Sequence, residues 1–144
     1  MIKQHESIVI RITSTAMVPF IQLFALYVVF HGHYGPGGGF QGGVLFAVSF
    51  MLLRLCLGRE MAAERFSPRL AMVIASAGML VFMTVGILPL FTGGVFLDYG
   101  HLPIPGVSEA GLRYLGILIA EIGIALAVFG TLVLLFDNLA GENW

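Results

Sequence analysis

Four stretches of this chain are each long and apolar enough to cross a lipid bilayer as a helix, and nothing else in the sequence restricts its fold as strongly. A helix rising 1.5 Å per residue needs about 20 residues to traverse roughly 30 Å of hydrocarbon. The runs at about 8–30, 39–57, 70–91 and 113–136 meet that length with very few charges inside them. None shows the period-two alternation of membrane barrel strands. The expected fold class is therefore all-α and integral to the membrane: a four-helix transmembrane bundle, one membrane domain over 1–144. Composition agrees, because 58% of the 144 residues are hydrophobic and 10% are charged, too few charges to coat a soluble domain of this size. The basic residues sit at the ends of apolar runs and form no stripe for phosphates, which argues against nucleic acid as a partner. The first run is too long for a signal-peptide core and lacks a small-x-small cleavage site, so it is read as a retained span. A lone cysteine, Cys56, has no intramolecular disulfide partner and reads as a small core or lipid-facing residue.

The breaks between the runs carry ordinary punctuation. Gly35-Pro36-Gly37-Gly38 ends the first span, Ser67-Pro68 sets up the third, and Pro103-Ile104-Pro105-Gly106 lies before the fourth. Lys3 and Arg11 precede or open span one, while Arg54, Arg59, Arg65 and Arg69 lie in or beside the connection between spans two and three. With four spans these two regions share one side, and only Arg113 lies on the other. The excess of basic residues assigns the first side to the cytoplasm. Both termini are then expected to be cytoplasmic, with 32–38 and 92–112 facing outward.

The spans carry signs of close packing. In the fourth, Gly116, Ala120, Gly123, Ala127 and Gly130 follow one another at alternating steps of four and three residues. That spacing makes one stripe of small side chains, the kind of seam along which membrane helices approach closely. Ala71, Ala75 and Gly78 form a shorter stripe in the third span. Whether the seams bind within the chain or to another subunit is open. Pro19 lies inside the first span, where it leaves the Thr15 carbonyl without its helical donor and is expected to bend the helix.

Polar residues within and between the spans are few enough to weigh singly. The run Gly37–Gly42 matches G-x-G-x-x-G literally, yet it follows a membrane span and not a buried strand, so the dinucleotide reading fails. The glycines permit an irregular turn, or a segment dipping into the membrane under the shelter of neighbouring protein. His31, His33, Tyr34 and Gln41 flank it. They read either as interfacial polar groups or as collectors of protons or cations, since histidine titrates near neutrality. Together with Asp98, His101 and Glu109 they give only a weak metal pattern, and no metal site, cofactor or catalytic nucleophile–base pair is assigned. Glu121 stands out. It lies eight residues into the fourth span, about 12 Å along the helix, and an acid at that depth needs protein or water around it. It points about 140° away from the middle of the small-residue stripe, so the partners of the stripe and of Glu121 are expected to be different helices. A structural hydrogen bond and a role in ion movement are both open. Arg54 is expected to snorkel to the headgroups, with Asp137 ending the fourth span at the same side.

The run Phe30-His31-Gly32-His33-Tyr34-Gly35-Pro36-Gly37-Gly38-Gly39-Phe40-Gln41-Gly42-Gly43 resembles the signature of the B subunit of Mrp-type (Mnh-type) Na⁺/H⁺ antiporters. Gly93-Gly94-Val95-Phe96-Leu97 and the stretch Gly111–Gly130, with Ala120-Glu121-Ile122-Gly123, look like further family segments. The resemblance implies a multi-pass subunit of the cell inner (plasma) membrane. Its partners would be the other antiporter subunits and the lipid bilayer, with Na⁺ and H⁺ as the ions the whole complex moves. The main proton relays would lie in the large subunits, and this chain would contribute to assembly and to an ion path involving Glu121, His31 and His33. Two other readings stay open: an equivalent module of a membrane-bound hydrogenase or related redox-driven pump, and an independent small channel.

Overall fold

The computed structural model describes residues 8–32, 37–57 and 66–140. Four helices in it are long and apolar enough to cross a membrane: α1 (Ile8–His31), α2 (Gly39–Leu57), α3 (Pro68–Ile87) and α4 (Glu109–Ala140). No strand occurs among the described residues, and the protein is a multi-pass all-α membrane protein. Lys3, His33, Tyr34, Gly35, Pro36, Arg59 and Arg65 lie outside the described residues.

The helix ends follow from local chemistry. Ser67 caps α3 by accepting the Leu70 N–H at 3.3 Å, with Pro68 at the first helical position, where its missing N–H costs nothing. At its far end α3 tightens into a 3₁₀ turn over Leu88–Thr92 that begins around Pro89, a residue unable to donate to the helical ladder. The fourth helix starts earlier than its apolar run, at Glu109. There the Ser108 hydroxyl accepts the Gly111 N–H at 3.3 Å, and Glu109 pairs with Arg113 one turn on at 2.7 Å. It also runs on to Ala140, and at 32 residues is about 48 Å long, well beyond one bilayer core. Pro19 sits inside an unbroken α1.

The helices lie in the order α1–α2–α4–α3, with α4 held between α2 and α3 and α1 resting mainly on α2. Helices α3 and α4 run antiparallel and approach to backbone contact. A Cβ on Gly78 would lie 2.6 Å from the Gly123 carbonyl oxygen, one on Gly123 2.9 Å from the Gly78 oxygen, and one on Gly130 2.8 Å from the Ala75 Cβ. Contact between bare backbones is the main source of attraction for helices in lipid, where apolar burial gains little. Helices α2 and α4, by contrast, run parallel. Gly39 meets Glu121, Gly43 meets Ala125 and Arg54 meets Asp137, at a nearly constant offset along the two chains. On α4 these contacts fall on the i+4 ridge through Ala125, Phe129, Val133 and Asp137, all buried. Phe50, Phe66 and Phe129 pack together, with ring centroids 4.8–5.3 Å apart.

Three polar links tie the pairs together. Gln22 of α1 donates to the Ser49 hydroxyl of α2 at 3.3 Å, and the Cys56 thiol donates to the Ser14 hydroxyl at 3.1 Å. The third corrects the expectation for Arg54. Its side chain does not snorkel to the headgroups: it is 3% exposed, with Nη2 2.9 Å from Oδ2 of the equally buried Asp137 and 3.2 Å from the Phe66 carbonyl oxygen. Asp137 lies in the last turn of α4, at the negative end of the helix dipole, where a cation is favoured and a lone acid is not. Arg54 provides that cation.

Removing one member of a buried ion pair leaves the other charged and buried, at a typical cost of about 3–5 kcal/mol, whereas a well-packed apolar pair is often neutral. Arg54→Met or Asp137→Leu alone is therefore expected to lower the thermal stability of the detergent-solubilised protein sharply. The double variant should recover most of the loss. A double variant no better than either single one would count against the pair as the stabilising unit.

Candidate functional site

The glycine-rich turn between α1 and α2 closes back onto the end of α1. The Gly38 N–H donates to the Val28 carbonyl at 3.1 Å, and the Gly38 carbonyl accepts the Gly42 N–H at 3.0 Å as α2 begins. Gly38 has φ +118°, a backbone conformation that a side chain disfavours. The next residue, Gly39, lies directly against the α4 backbone. A Cβ there would collide with the Glu121 carbonyl oxygen and sit 2.8 Å from its carbon. Gly42 and Gly43 continue α2 with one turned to Ala25 and Val29 of α1 and the other to Ala125 of α4. The start of α2 is thus wedged between two helices, and it fits because it carries almost no side chains.

Glu121 points its carboxylate into this wedge. A Cβ on Gly32 would lie 2.7 Å from Oε1, one on Gly38 would lie 3.4 Å from the same atom, and Oε2 is buried. The carboxylate therefore occupies the gap between the last residue after α1 and the first residues of α2. An acid at the start of a helix is favoured by the dipole and by the backbone N–H groups of its first turn, which gives a physical account of how a carboxylate is held at this depth. Glu121 comes twelve residues after the start of α4, so the turn lies about 18 Å along the helix from that end. The segment 88–108 joins α3 to the start of α4.

That segment folds down over the end of α4 and supplies a residue the sequence did not single out. Tyr99 lies in the 3₁₀ turn Tyr99–His101 and packs its ring on Gly116, where a Cβ would be 2.5 Å from Cγ. Gly116, the first member of the small-residue stripe, thus receives an aromatic ring where the stripe predicted a helix. Burial raises the Tyr99 phenol above its ordinary pKa, and the negative charge of Glu121 raises it further. Beside it the exposed His101 imidazole pairs with Asp98, Nδ1 to Oδ2, at 2.7 Å, and the Thr92 hydroxyl donates to the His101 carbonyl. A glycine at the head of a stripe, opposite a loop containing a tyrosine, was the available signal.

The remaining candidates divide. Gly38, Gly39, Gly42, Gly43 and Glu121 come together, and Gly37 lies against the Val28 carbonyl. Phe40 and Gln41 are turned outward and exposed. His31 stacks on Tyr27, with ring centroids 5.1 Å apart and planes 16° from parallel. Ala120, Gly123 and Gly130 are buried, the latter two against α3, and Ala127 lies beside Gly78. Among the described residues no group of three His, Cys, Asp or Glu side chains is placed to hold a metal ion.

A family profile described as "Domain related to MnhB subunit of Na+/H+ antiporter" matches residues 9–134. Curated relatives include proteins of Staphylococcus aureus strains Newman and JH1, each named "Putative antiporter subunit mnhB2". Each is 39% identical over 135 residues, covering 87% of this chain and 93% of the relative.

The wedge makes a graded expectation. Gly39→Ala places a methyl group inside the α4 backbone, which no rotamer can relieve, so α2 and α4 must separate and the protein should be lost from the membrane or fail to assemble. Gly106→Ala meets open space at φ +82° and carries only the left-handed penalty of about 1–2 kcal/mol. Membrane levels and native gels of the two variants check this, and equal behaviour would contradict the packing at Gly39.

Proposed function

The chain belongs to the family of domains related to the MnhB subunit of Na⁺/H⁺ antiporters, and on that basis we propose that it is a small non-catalytic subunit of a multi-subunit antiporter. The complex exchanges Na⁺ or another monovalent cation for H⁺ across the cell membrane. The chain packs against other subunits and contributes Glu121 to an ion path. The antiporter names of its relatives favour this over a module of a redox-driven pump.

The observation that carries the proposal for Glu121 is the enclosure of its carboxylate between the end of α1 and the start of α2. Helix ends meeting at membrane depth around an ionisable group are the arrangement by which transporters hold ions, because end carbonyls and N–H groups are available there and nowhere along an intact helix. An intramembrane acid costs a few kcal/mol to insert, and this one lies where a change of its charge alters what holds the turn against α4. His31, one residue from Gly32, lies at the rim of the same turn and is proposed as a secondary contributor, with His33 following it in the sequence.

The termini are proposed to be cytoplasmic, on the strength of the basic residues around the α2–α3 connection. In a Cys56→Ser background, Val107→Cys should then be labelled by an impermeant thiol reagent added outside intact cells. Arg69→Cys should be labelled only after the membrane is opened; the reverse pattern would invert the topology.

Cation-dependent proton exchange in everted vesicles from antiporter-deficient cells expressing the whole complex tests the role of Glu121. Glu121→Gln and Glu121→Ala are expected to lose exchange while native gels show an intact complex. Normal exchange in both would remove Glu121 from the ion path and leave the chain as a packing subunit.

A further inference from the structure

Helices α1 and α4 barely meet, and a groove of about 360 Å³ runs between them over a floor made by α2. Gln22 and Leu26 of α1, Phe46 and Phe50 of α2, and Ile122 and Leu126 of α4 line it. Its α1 wall extends from Gln22 to Phe30, about 12 Å along the helix, so the groove runs with the helices. The lining is apolar except at Gln22, which is partly buried and roughly 13 Å along α1 from the nearer end of that helix. That depth is hydrocarbon, beyond the headgroups.

A glutamine side chain carries two N–H donors and one acceptor oxygen. One donor goes to the Ser49 hydroxyl at 3.3 Å, and Ser49 in turn donates to the Phe46 carbonyl at 2.7 Å. Among the described residues the amide oxygen and the second N–H have no partner. Pro19 adds to the demand on this side of α1. It removes the helical donor of the Thr15 carbonyl, and Thr15 lies two turns from Gln22 with the same facing. The bilayer core holds no water for such groups, and each one left unmet there costs free energy. An acyl chain would fill the groove and leave the amide as it is. A second copy docked by this same face would set groove against groove and fill neither. A helix from another protein presents a ridge, and membrane helices satisfy such amides through Ser, Thr, Asn, Gln or His across the interface.

We infer that the α1–α4 groove seats a transmembrane helix of another antiporter subunit, which sets a hydroxyl, amide or imidazole side chain against Gln22. The inference rests on the reading of the chain as a subunit of a multi-subunit antiporter. Ser49 is fully buried, so the bond to it anchors the amide from the α2 side and leaves its remaining groups for the groove. The apolar walls accept the apolar side chains of the incoming ridge. The amide fixes the register, because a hydrogen bond at one depth allows one position along the groove. Ile122 on the far wall follows Glu121 in the chain, so the seated helix passes beside the part of α4 that carries the acid.

The test uses the complete complex in native membranes, with benzoylphenylalanine placed at Phe30 on the α1 wall or at Leu126 on the α4 wall. Ultraviolet light should join both positions to the same span of another subunit, identified by mass spectrometry of the cross-linked peptide. That peptide should carry Ser, Thr, Asn, Gln or His within a turn of the level of Gln22. Gln22→Leu is expected to lower the yield of the adduct roughly threefold or more. Ser49→Ala, which removes only the internal bond, should leave it unchanged. A phospholipid adduct, or an adduct with a second copy of this chain, would overturn the inference while the other subunits still co-migrate on native gels. So would the absence of any adduct in a whole complex, or equal yields in Gln22→Leu and wild type. An equal loss in Gln22→Leu and Ser49→Ala would reduce Gln22 to a bond within the chain and sink the inference as well. Should Gln22→Leu not accumulate, the identity of the cross-linked peptide decides. A chain that migrates without any other subunit would overturn both this inference and the subunit reading.

Discussion

The backbone of α2 at Gly39 and the backbone of α4 at Glu121 occupy positions so close that a single methyl group does not fit between them, and much of the molecule is arranged around that approach. It sets the parallel alignment of α2 and α4, which brings Gly43 to Ala125 and Arg54 to Asp137. It also places the α1–α2 turn beside the one acid in the middle of α4. In a solvent that gives little reward for burying apolar groups, such close approach is what makes helices adhere. The second approach, of α3 at Gly78 to Gly123, holds α4 from its other side. Small residues on two faces of one helix thus give a bundle whose central member touches nearly everything.

Polar groups in this bundle are few, and each is used to join separate elements. Gln22 reaches Ser49, Cys56 reaches Ser14, and Arg54 joins α2 to Asp137 of α4 and to the Phe66 carbonyl ahead of α3. At the opposite end Glu121 meets the turn. Among the described residues the seam between α2 and α4 has an acid near each end, Glu121 and Asp137, and Arg54 pairs with the second. Asp137 is held by a full positive charge, and the Glu121 carboxylate lies beside the start of α2, at the positive end of that helix's dipole.

The four spans were legible because lipid leaves helices as the only open structures and demands a minimum length. The sequence stripe also separates the α3-facing side of α4 from Glu121, and the structure puts Gly78 against the former and Gly32 and Gly38 near the latter. Arg54 was misread. Its distance from the helix end permits snorkelling, and only the parallel register of α2 with α4 reveals that Asp137 lies opposite. The start of α4 was placed four residues late because Arg113 looks like a boundary, whereas its pairing with Glu109 lets the helix extend beyond the apolar run. Tyr99 was missed for a different reason: the contact with Gly116 depends on how a loop of irregular structure folds back, which periodicity alone does not record.

The position of α4 between α2 and α3 has a consequence for how the protein is made. The chain is synthesised from α1 onward, so the helix against which the others pack leaves the ribosome last. Until then α1 and α2 can form a hairpin, but the glycine faces of α2 and α3 wait in the bilayer without the surface they fit. Biogenesis must hold those two helices apart, or let them separate, so that a 32-residue segment can enter laterally between them. Arg54 and Phe66, which come before α4 in the chain, meet Asp137 near its C-terminal end, so that contact is completed only when insertion is complete.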